Sequence, residues 1–281
     1  MSGELVVVGT PIGNLGDIAP RAVEALRAAE MILCEDTRRT RELLSALSIP
    51  ATGRLSALHD HNERVRCDEV VGAIASGRTV VLVSDAGMPG ISDPGSVLVA
   101  AVVDDGGSVT VIPGPSAVLA ALVVSGLPTD RFCMEGFLPR RGKDRRAALE
   151  ALATEERTSV LFESPRRLAA TLAEFATALG ADRRVVIARE LTKLHEEIWR
   201  GSLEAAAQHW SEVEARGEVV IVLGGAAPPA IVEISDTDII ERLHQALAEG
   251  RSKRDATDQV AAELGVVRRR VYQLAIALAS A

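Results

Sequence analysis

The stretch Leu82–Gly95, LVSDAGMPGISDPG, changes character within a few residues. It begins as the end of an apolar β-rich run, Val80–Val83. It then becomes Gly87, Pro89, Gly90, Pro94 and Gly95 mixed with aspartates and serines. Such a segment is too stiff for a linker and too polar for a core. Glycine admits close backbone approach, and proline stiffens a turn while leaving nearby carbonyls unpaired. The same design, an apolar run into a Gly/Pro turn leading toward a helix, recurs in VVVGTPIGNLGD (Val6–Asp17) and VIPGPSAVLAAL (Val111–Leu122). In a parallel sheet all three turns fall at the carboxyl ends of strands, the edge where ligands bind. They predict a rigid wall of backbone donors and acceptors, suited to a flat, adenosine-like ligand better than to a phosphate chain. Gly9, Gly13 and Gly16 do not have GxGxxG spacing, and no GxxxxGK[ST] occurs. A nicotinamide dehydrogenase and a P-loop nucleotidase are thereby excluded.

Working outward, residues 1–125 alternate strand and helix signals. Apolar runs at Leu5–Val8, Met31–Cys34, Val80–Val83 and Val109–Ile112, with a weaker one near Leu55–Leu58, are separated by helical patterns at Pro20–Ala29, Thr40–Leu47, Glu63–Ala75 and Pro94–Val103. This alternation predicts parallel strands with helices on their faces. After SGLPTDRF (Ser125–Phe132) the pattern restarts, with strands at Phe132–Glu135, Ser159–Phe162, Val185–Ala188 and Val219–Leu223 and helices at Asp144–Ala153 and Pro165–Leu179. HEEIWRGSL (His195–Leu203) reads as a further strand with Trp199 inward. The expected organisation is α/β: one domain over 1–125, a second over 126–225 packed closely on it, and a small helical extension over 236–281. AAPPAIVEIS (226–235) reads as the linker. DATDQVAAELGVVRRRVYQLAIAL (255–278) has helix–turn–helix spacing about Gly265, with Val271 and Tyr272 inward.

The chain has 281 residues, 47% of them hydrophobic and 2% aromatic, so its core is expected to be Ala, Val and Leu. Cys34, Cys67 and Cys133 form no CxxC pair, which argues against a disulfide framework or zinc site and favours a reducing cytoplasm. The chain enters the strand-like ELVVVGT without a charged leader, and its apolar run near Ser116–Val124 is far short of a membrane span, so no membrane association is expected. At net charge −8 the whole molecule does not attract nucleic acid, and an anionic partner requires local basic patches.

GTPIGNLGDI, CEDTR, SDAGMPGISDPG, IPGPSA, GFLPRRG, ESPRRL and ARELTKLHEE occur in this order between Leu5 and Gly224. As a set they resemble the tetrapyrrole methylase superfamily, and within it the ribosomal RNA small subunit methyltransferase I branch. The resemblance implies S-adenosylmethionine as methyl donor, bound in a cleft between two α/β domains of a homodimer. It also implies 2′-O-methylation of a cytidine ribose in the decoding region of small-subunit ribosomal RNA, as free RNA or in the assembled subunit. Asp85, Ala86 and Gly87 would then contact the donor, with Pro11, Pro113, Gly114, Ser116 and Ala117 lining the remainder. Asp85 alone also reads as a turn or helix cap.

A ribose hydroxyl is a poor nucleophile, so a general base or a cation beside the emerging alkoxide would help. Facing residues from the second half include Arg189, Glu190 and Lys193 after Val185–Ala188, and Glu163 and Ser164 after Ser159–Phe162; the first half offers Glu35, Asp36 and Arg38. Glu190 and Lys193, the latter one of only three lysines, are taken as the catalytic pair, with an ion pair fixing a loop as the alternative. Glu163 is placed with the donor site. FLPRRGKDRRAAL (137–149) clusters Arg140, Arg141, Lys143, Arg145 and Arg146 where a helix begins, an arrangement the helix dipole opposes and a bound phosphate would resolve. Arg38, Arg39, Arg166 and Arg189 extend this expected RNA track. His59, Asp60, His61 and Glu63 superficially resemble a metal cluster but read as a polar loop, and no metal is expected. Competing readings are methylation of a small molecule such as a precorrin, and a noncatalytic RNA binder in ribosome assembly.

Overall fold

The structure, a computed structural model, describes residues 3–59, 62–227 and 234–278. The chain divides into two compact units, residues 1–226 and 227–281.

The first unit opens with β1 (Glu4–Val8), α1 (Pro20–Ala28), β2 (Met31–Cys34), α2 (Thr37–Ala46), β3 (Leu55–Ala57), α3 (Glu63–Ala75), β4 (Thr79–Val83), α4 (Ser96–Asp104) and β5 (Ser108–Ile112). These strands form one sheet in the order β3-β2-β4-β1-β5, with every pairing parallel. Side-chain alternation along β1 decides which face each residue serves. Leu5 and Val7 pack with Cys67, Val70, Leu98 and Val102 of α3 and α4, whereas Val6 and Val8 pack with Ala22, Leu26 and Leu44 of α1 and α2. The chain leaves β1 toward β2 on one side and leaves β4 toward β5 on the other. The switch point, and hence the crevice, lies above the adjacent carboxyl ends of β1 and β4.

The unit continues with α5 (Ala117–Ser125), β6 (Phe132–Phe137), α6 (Gly142–Thr154), β7 (Thr158–Glu163), α7 (Leu168–Leu179), β8 (Arg184–Arg189), β9 (Glu197–Ser202), α8 (Leu203–Glu212) and β10 (Val219–Leu223). This second sheet has the order β6-β7-β10-β8-β9. Only β6 and β7 are parallel; β10 runs antiparallel between β7 and β8, and β9 is antiparallel to β8. The entry to β10 therefore lies beside the exits of β7 and β8, and Val219 pairs with both Glu163 and Arg189. Val219, Ile221 and Leu223 pack toward the core that includes α6, α7 and α8. Val220 and Val222 face α5. A strand covered on both sides reads as unbroken apolar sequence, as VVIVL does. Trp199 of β9 packs against the same helical core.

Helix α5 corrects the expected division after Ser125. Val118, Ala121 and Leu122 pack on Val160, Val186, Ala188, Val220 and Val222, so α5 covers the second sheet although the first sheet's last turn leads into it. Ile12 and Val118 thus share one buried cluster with residues of the second sheet.

The second unit holds α9 (Asp236–Ala248), α10 (Lys253–Leu264) and α11 (Arg268–Ala277) around its own core of Ile239, Leu243, Val260 and Val271. Gly265 ends α10 at φ +62°, a left-handed turn that suits glycine. Val271 is inward as expected. Tyr272 is not: it is 49% exposed, because the helical turn places the residue after a buried one about 100° round the axis. Positions 228–233 of the expected linker lie outside the described residues.

Candidate functional site

The three Gly/Pro turns meet at the switch point. Thr10 N–H donates to Gly87 O at 2.9 Å and Gly87 N–H to Thr10 O at 3.1 Å, extending the β1–β4 edge by one antiparallel bridge. The buried Ser84 hydroxyl lies 3.2 Å from both the Ala86 and Gly87 carbonyls. Gly9 and Gly114 stack backbone on backbone: a Cβ on Gly9 would lie 2.7 Å from Gly114 Cα. Gly87 and Gly90, at φ +80° and +79°, make the bends between β4 and α4. Glu63, buried on α3, anchors the far end of this loop. Its Oε1 accepts the N–H groups of Gly95, Val97 and Leu98 at 2.9–3.0 Å, filling the donors that α4 leaves open at its start.

Asp85 joins two turns. Its Oδ1 accepts Asp36 N–H at 3.0 Å, and its Oδ2 lies 3.6 Å from Arg39 Nη1. Asp36 in turn caps α2 by accepting Arg38 N–H and holds the Arg38 guanidinium at 2.7 Å. These hydrogen bonds from Arg38 hold the Asp36 carboxyl far below the usual carboxylate range. Ser116 caps α5 through Leu119 N–H.

Above these turns, the edge of the second sheet closes a cavity of about 500 Å³, within the range of small-molecule sites. From the first half its lining includes Ile12, Glu35, Arg39, Asp85, Ala86, Gly87, Met88, Ser116 and Ala117. From the second it includes Phe137, Phe162, Glu163, Ser164 and Gly217–Val220. Asp85, Ala86, Gly87, Ser116, Ala117 and Glu163, the expected donor contacts, line this one cavity, and Arg39, expected on the RNA track, lines it too. Pro11, Pro113 and Gly114 are not among its lining residues. Five carboxylates, Glu35, Asp85, Asp93, Glu163 and Glu218, share the lining with one arginine, Arg39. The site is therefore suited to a ligand with apolar surface, hydroxyl groups and positive charge.

Gly217–Val220 had no signal in the sequence reading, which placed ligand contacts only at strand exits. The antiparallel β10 brings a strand entry to the same rim. Glu190 and Lys193 lie behind this segment, outside the lining. Lys193 Nζ donates to Glu190 Oε1 at 2.8 Å and lies 3.1 Å from Glu218 Oε2, while Glu190 Oε1 also accepts Glu218 N–H at 3.0 Å. The Lys193 hydrogen bond lowers the Glu190 pKa. For Lys193, burial works downward, but hydrogen bonds to Glu190 and Glu218 outweigh it and raise the pKa. Glu190 (φ +53°) and Thr192 (φ +64°) both occupy the left-handed region, and Gly13 and Gly217 leave no room for a Cβ against this loop. Lys193 is consequently a fixed ammonium ion, not a base poised near neutrality.

The basic residues separate into distinct environments. Arg145 is not part of an exposed track: its guanidinium is buried against Glu174 Oε2 (2.5 and 2.7 Å), Pro139 O and Thr171 Oγ1. Arg189 is turned onto Glu197 at 2.9 Å. Arg38 is held by Asp36, and Arg166, Arg140, Arg141 and Lys143 are exposed. Burial raises the pKa of Cys34, Cys67 and Cys133, which leaves all three thiols poor nucleophiles. Asp60 and His61 lie outside the described residues. Among the described residues no group of three or more His, Cys, Asp and Glu side chains is placed to hold a metal ion.

A family model described as tetrapyrrole (corrin/porphyrin) methylases matches residues 4–207. A ribosomal RNA small subunit methyltransferase I of Synechocystis sp. is 45% identical over 98% of each chain. One of Mycobacterium tuberculosis is 49% identical over 96% of this chain and 94% of its own. Among solved structures, uroporphyrin-III C-methyltransferase of Thermus thermophilus complexed with S-adenosyl homocysteine shares the fold, with TM-score 0.54 at 22% identity over 79% of this chain and 96% of that one. On a match of this extent, the chain belongs to the tetrapyrrole methylase family and, within it, to the ribosomal RNA small subunit methyltransferase I group.

Proposed function

We propose that this protein transfers a methyl group from S-adenosylmethionine to small-subunit ribosomal RNA, at the 2′-hydroxyl of a cytidine ribose in the decoding region. What carries the reading is 45–49% identity to ribosomal RNA methyltransferases over nearly the full chain. The cavity fits the donor on its own terms: apolar Ile12, Ala86, Ala117 and Val118 suit an adenine, and the carboxylates suit ribose hydroxyls and a sulfonium charge. When bound, the donor supplies an electrophilic methyl group. The chain's own task is to exclude water, align the hydroxyl and receive its proton.

Glu218 is the carboxylate we assign to that proton. It lies on the cavity wall, 61% exposed at its side chain, with Lys193 against Oε2. Glu190 and Lys193 serve the chemistry through it, as positioning residues. Glu190 holds the Lys193 ammonium group at 2.8 Å, and that group lies 3.1 Å from Glu218 Oε2. Arginines outside the cleft draw the RNA. A small macrocycle would need none of them.

The protein acts in the cytoplasm as a homodimer. Helix α5, AVLAALVVS, is apolar all round, yet Leu119 (53%), Val123 (74%) and Val124 (39%) remain exposed beside the edge-strand Val111 (56%). Such a helix is expected to be covered on both faces, and a second copy supplies the cover. No helix among the described residues is long and apolar enough to cross a membrane.

The test is to incubate the protein with labelled S-adenosylmethionine and small ribosomal subunits from a strain lacking the gene, then map the methylated nucleotide. Label on a base, or on no RNA at all, would refute the proposal. Sedimentation decides the dimer, with Val123→Asp expected to yield monomer.

A further inference from the structure

A second concavity of about 450 Å³ opens between the start of α6 and α7. It is lined by Arg140, Arg141, Arg145, Arg146 and Arg167, with Glu174 the one acidic residue among the lining. Only Arg145 and Arg167 of the five are held in ion pairs, to Glu174 at 2.5 Å and to Glu163 at 2.5 Å. These two form an ordered floor. Arg145 spends its donors on Glu174, Thr171 and Pro139 O. Arg167 keeps one enclosed nitrogen, Nη1, without any partner. Arg140, Arg141 and Arg146 are exposed around it. Gly142, at φ +84°, adds no side chain, and a Cβ there would meet nothing within 4 Å.

Several guanidinium groups facing one concavity repel each other. That conflict is relieved by one ligand type, an anion with several acceptor oxygens that matches the planar guanidinium fork. The carboxylate-lined cleft next to it repels such a group. The two cavities share a wall: Glu163 lines the cleft, and its carboxylate holds Arg167 and accepts from Thr171 Oγ1 at 2.7 Å.

The geometry points to this concavity as a built phosphate subsite that takes a backbone phosphodiester of bound RNA while the adjoining cleft holds the reacting nucleotide. The assignment deepens the function proposed above and rests on it for the identity of the polymer. It differs from a diffuse basic surface in naming Arg146 and Arg167 and in leaving out Lys143. Lys143 is exposed on the same helical turn but is not among the lining residues.

That difference supplies the test. Arg146→Ala and Lys143→Ala remove the same charge from neighbouring positions of the full-length protein. Binding of a single-stranded hexaribonucleotide is followed by fluorescence anisotropy between 50 and 200 mM salt, with thermal unfolding as a check on folding. Arg146→Ala is expected to weaken binding about tenfold and to lower the salt slope by about 0.7. Lys143→Ala should change affinity less than about twofold. Equal losses in the two variants, or no loss in Arg146→Ala, overturn the subsite. In a second arm inorganic phosphate replaces the hexamer. Arg146-dependent phosphate binding without hexamer binding would make this a free-phosphate site and overturn the RNA assignment. The readout is independent of methyl transfer. Arg146-dependent RNA binding without methylation sinks the enzymatic reading alone, and methylation with equal losses in both variants sinks this one alone.

Discussion

Asp85 shows how one side chain can line a ligand site and also hold its walls together. Its carboxylate ties the β2 turn to the β4 turn through Asp36 N–H and sits beside Arg39. Asp85→Ala should weaken S-adenosyl homocysteine binding about tenfold in calorimetry by letting the two turns separate, a loss of the size expected for a charged hydrogen bond. An unchanged dissociation constant removes the residue from the site. Glu190 makes a prediction in pH. Its folded pKa is lowered from 4.5, so the stability it contributes is present above 4.5 and is lost as pH falls through the lowered value. Glu190→Gln should therefore unfold at a lower temperature than the parent at pH 7. The gap should narrow steadily as both are acidified below 4.5, and a gap independent of pH would contradict the ion-pair account.

Among the elements, the loop between β4 and α4 depends on a helix that never touches the ligand. Glu63 of α3 receives three N–H groups from the start of α4, so α3 fixes the end of the Gly/Pro segment whose beginning is fixed by β4. Glu63→Ala leaves those donors buried and unpaired, at a cost of about 1–3 kcal/mol. Glu63→Gln keeps an acceptor oxygen and should cost less. Chemical denaturation orders the two variants, and the reverse order would deny Glu63 its capping role. In the sequence Glu63 stands beside His59 and His61 and reads as part of a polar loop. Its long-range partners, more than thirty residues away, are invisible to any local pattern.

Taken whole, the first unit separates charge: carboxylates around the cleft, guanidinium groups around its neighbour, with Glu163 and Arg167 at the shared wall. A net charge of −8 conceals this arrangement completely. The second unit has its own core, with buried residues from α9, α10 and α11. A fragment ending at Ala226 should therefore unfold cooperatively and bind S-adenosyl homocysteine within about threefold of the full chain, since among the described residues none lining the cleft lies beyond Val220. Loss of cooperative unfolding in the calorimeter would show that the units are not independent.

The strands of the first sheet and the three rigid turns were legible because short-range chemistry specifies them, whereas Asp85, Ala86, Gly87, Ser116 and Ala117 were singled out by the family resemblance. β-branched runs make buried strands, and Gly and Pro fix the turns that follow. Tertiary structure alone decided that α5 leaves the sheet it follows to cover another, that antiparallel β10 brings Gly217–Val220 to the cleft, and that Arg145 is buried while Arg146 is not. Each of these depends on contacts between residues far apart in the chain, whose free energy is realised only when both partners are already in place.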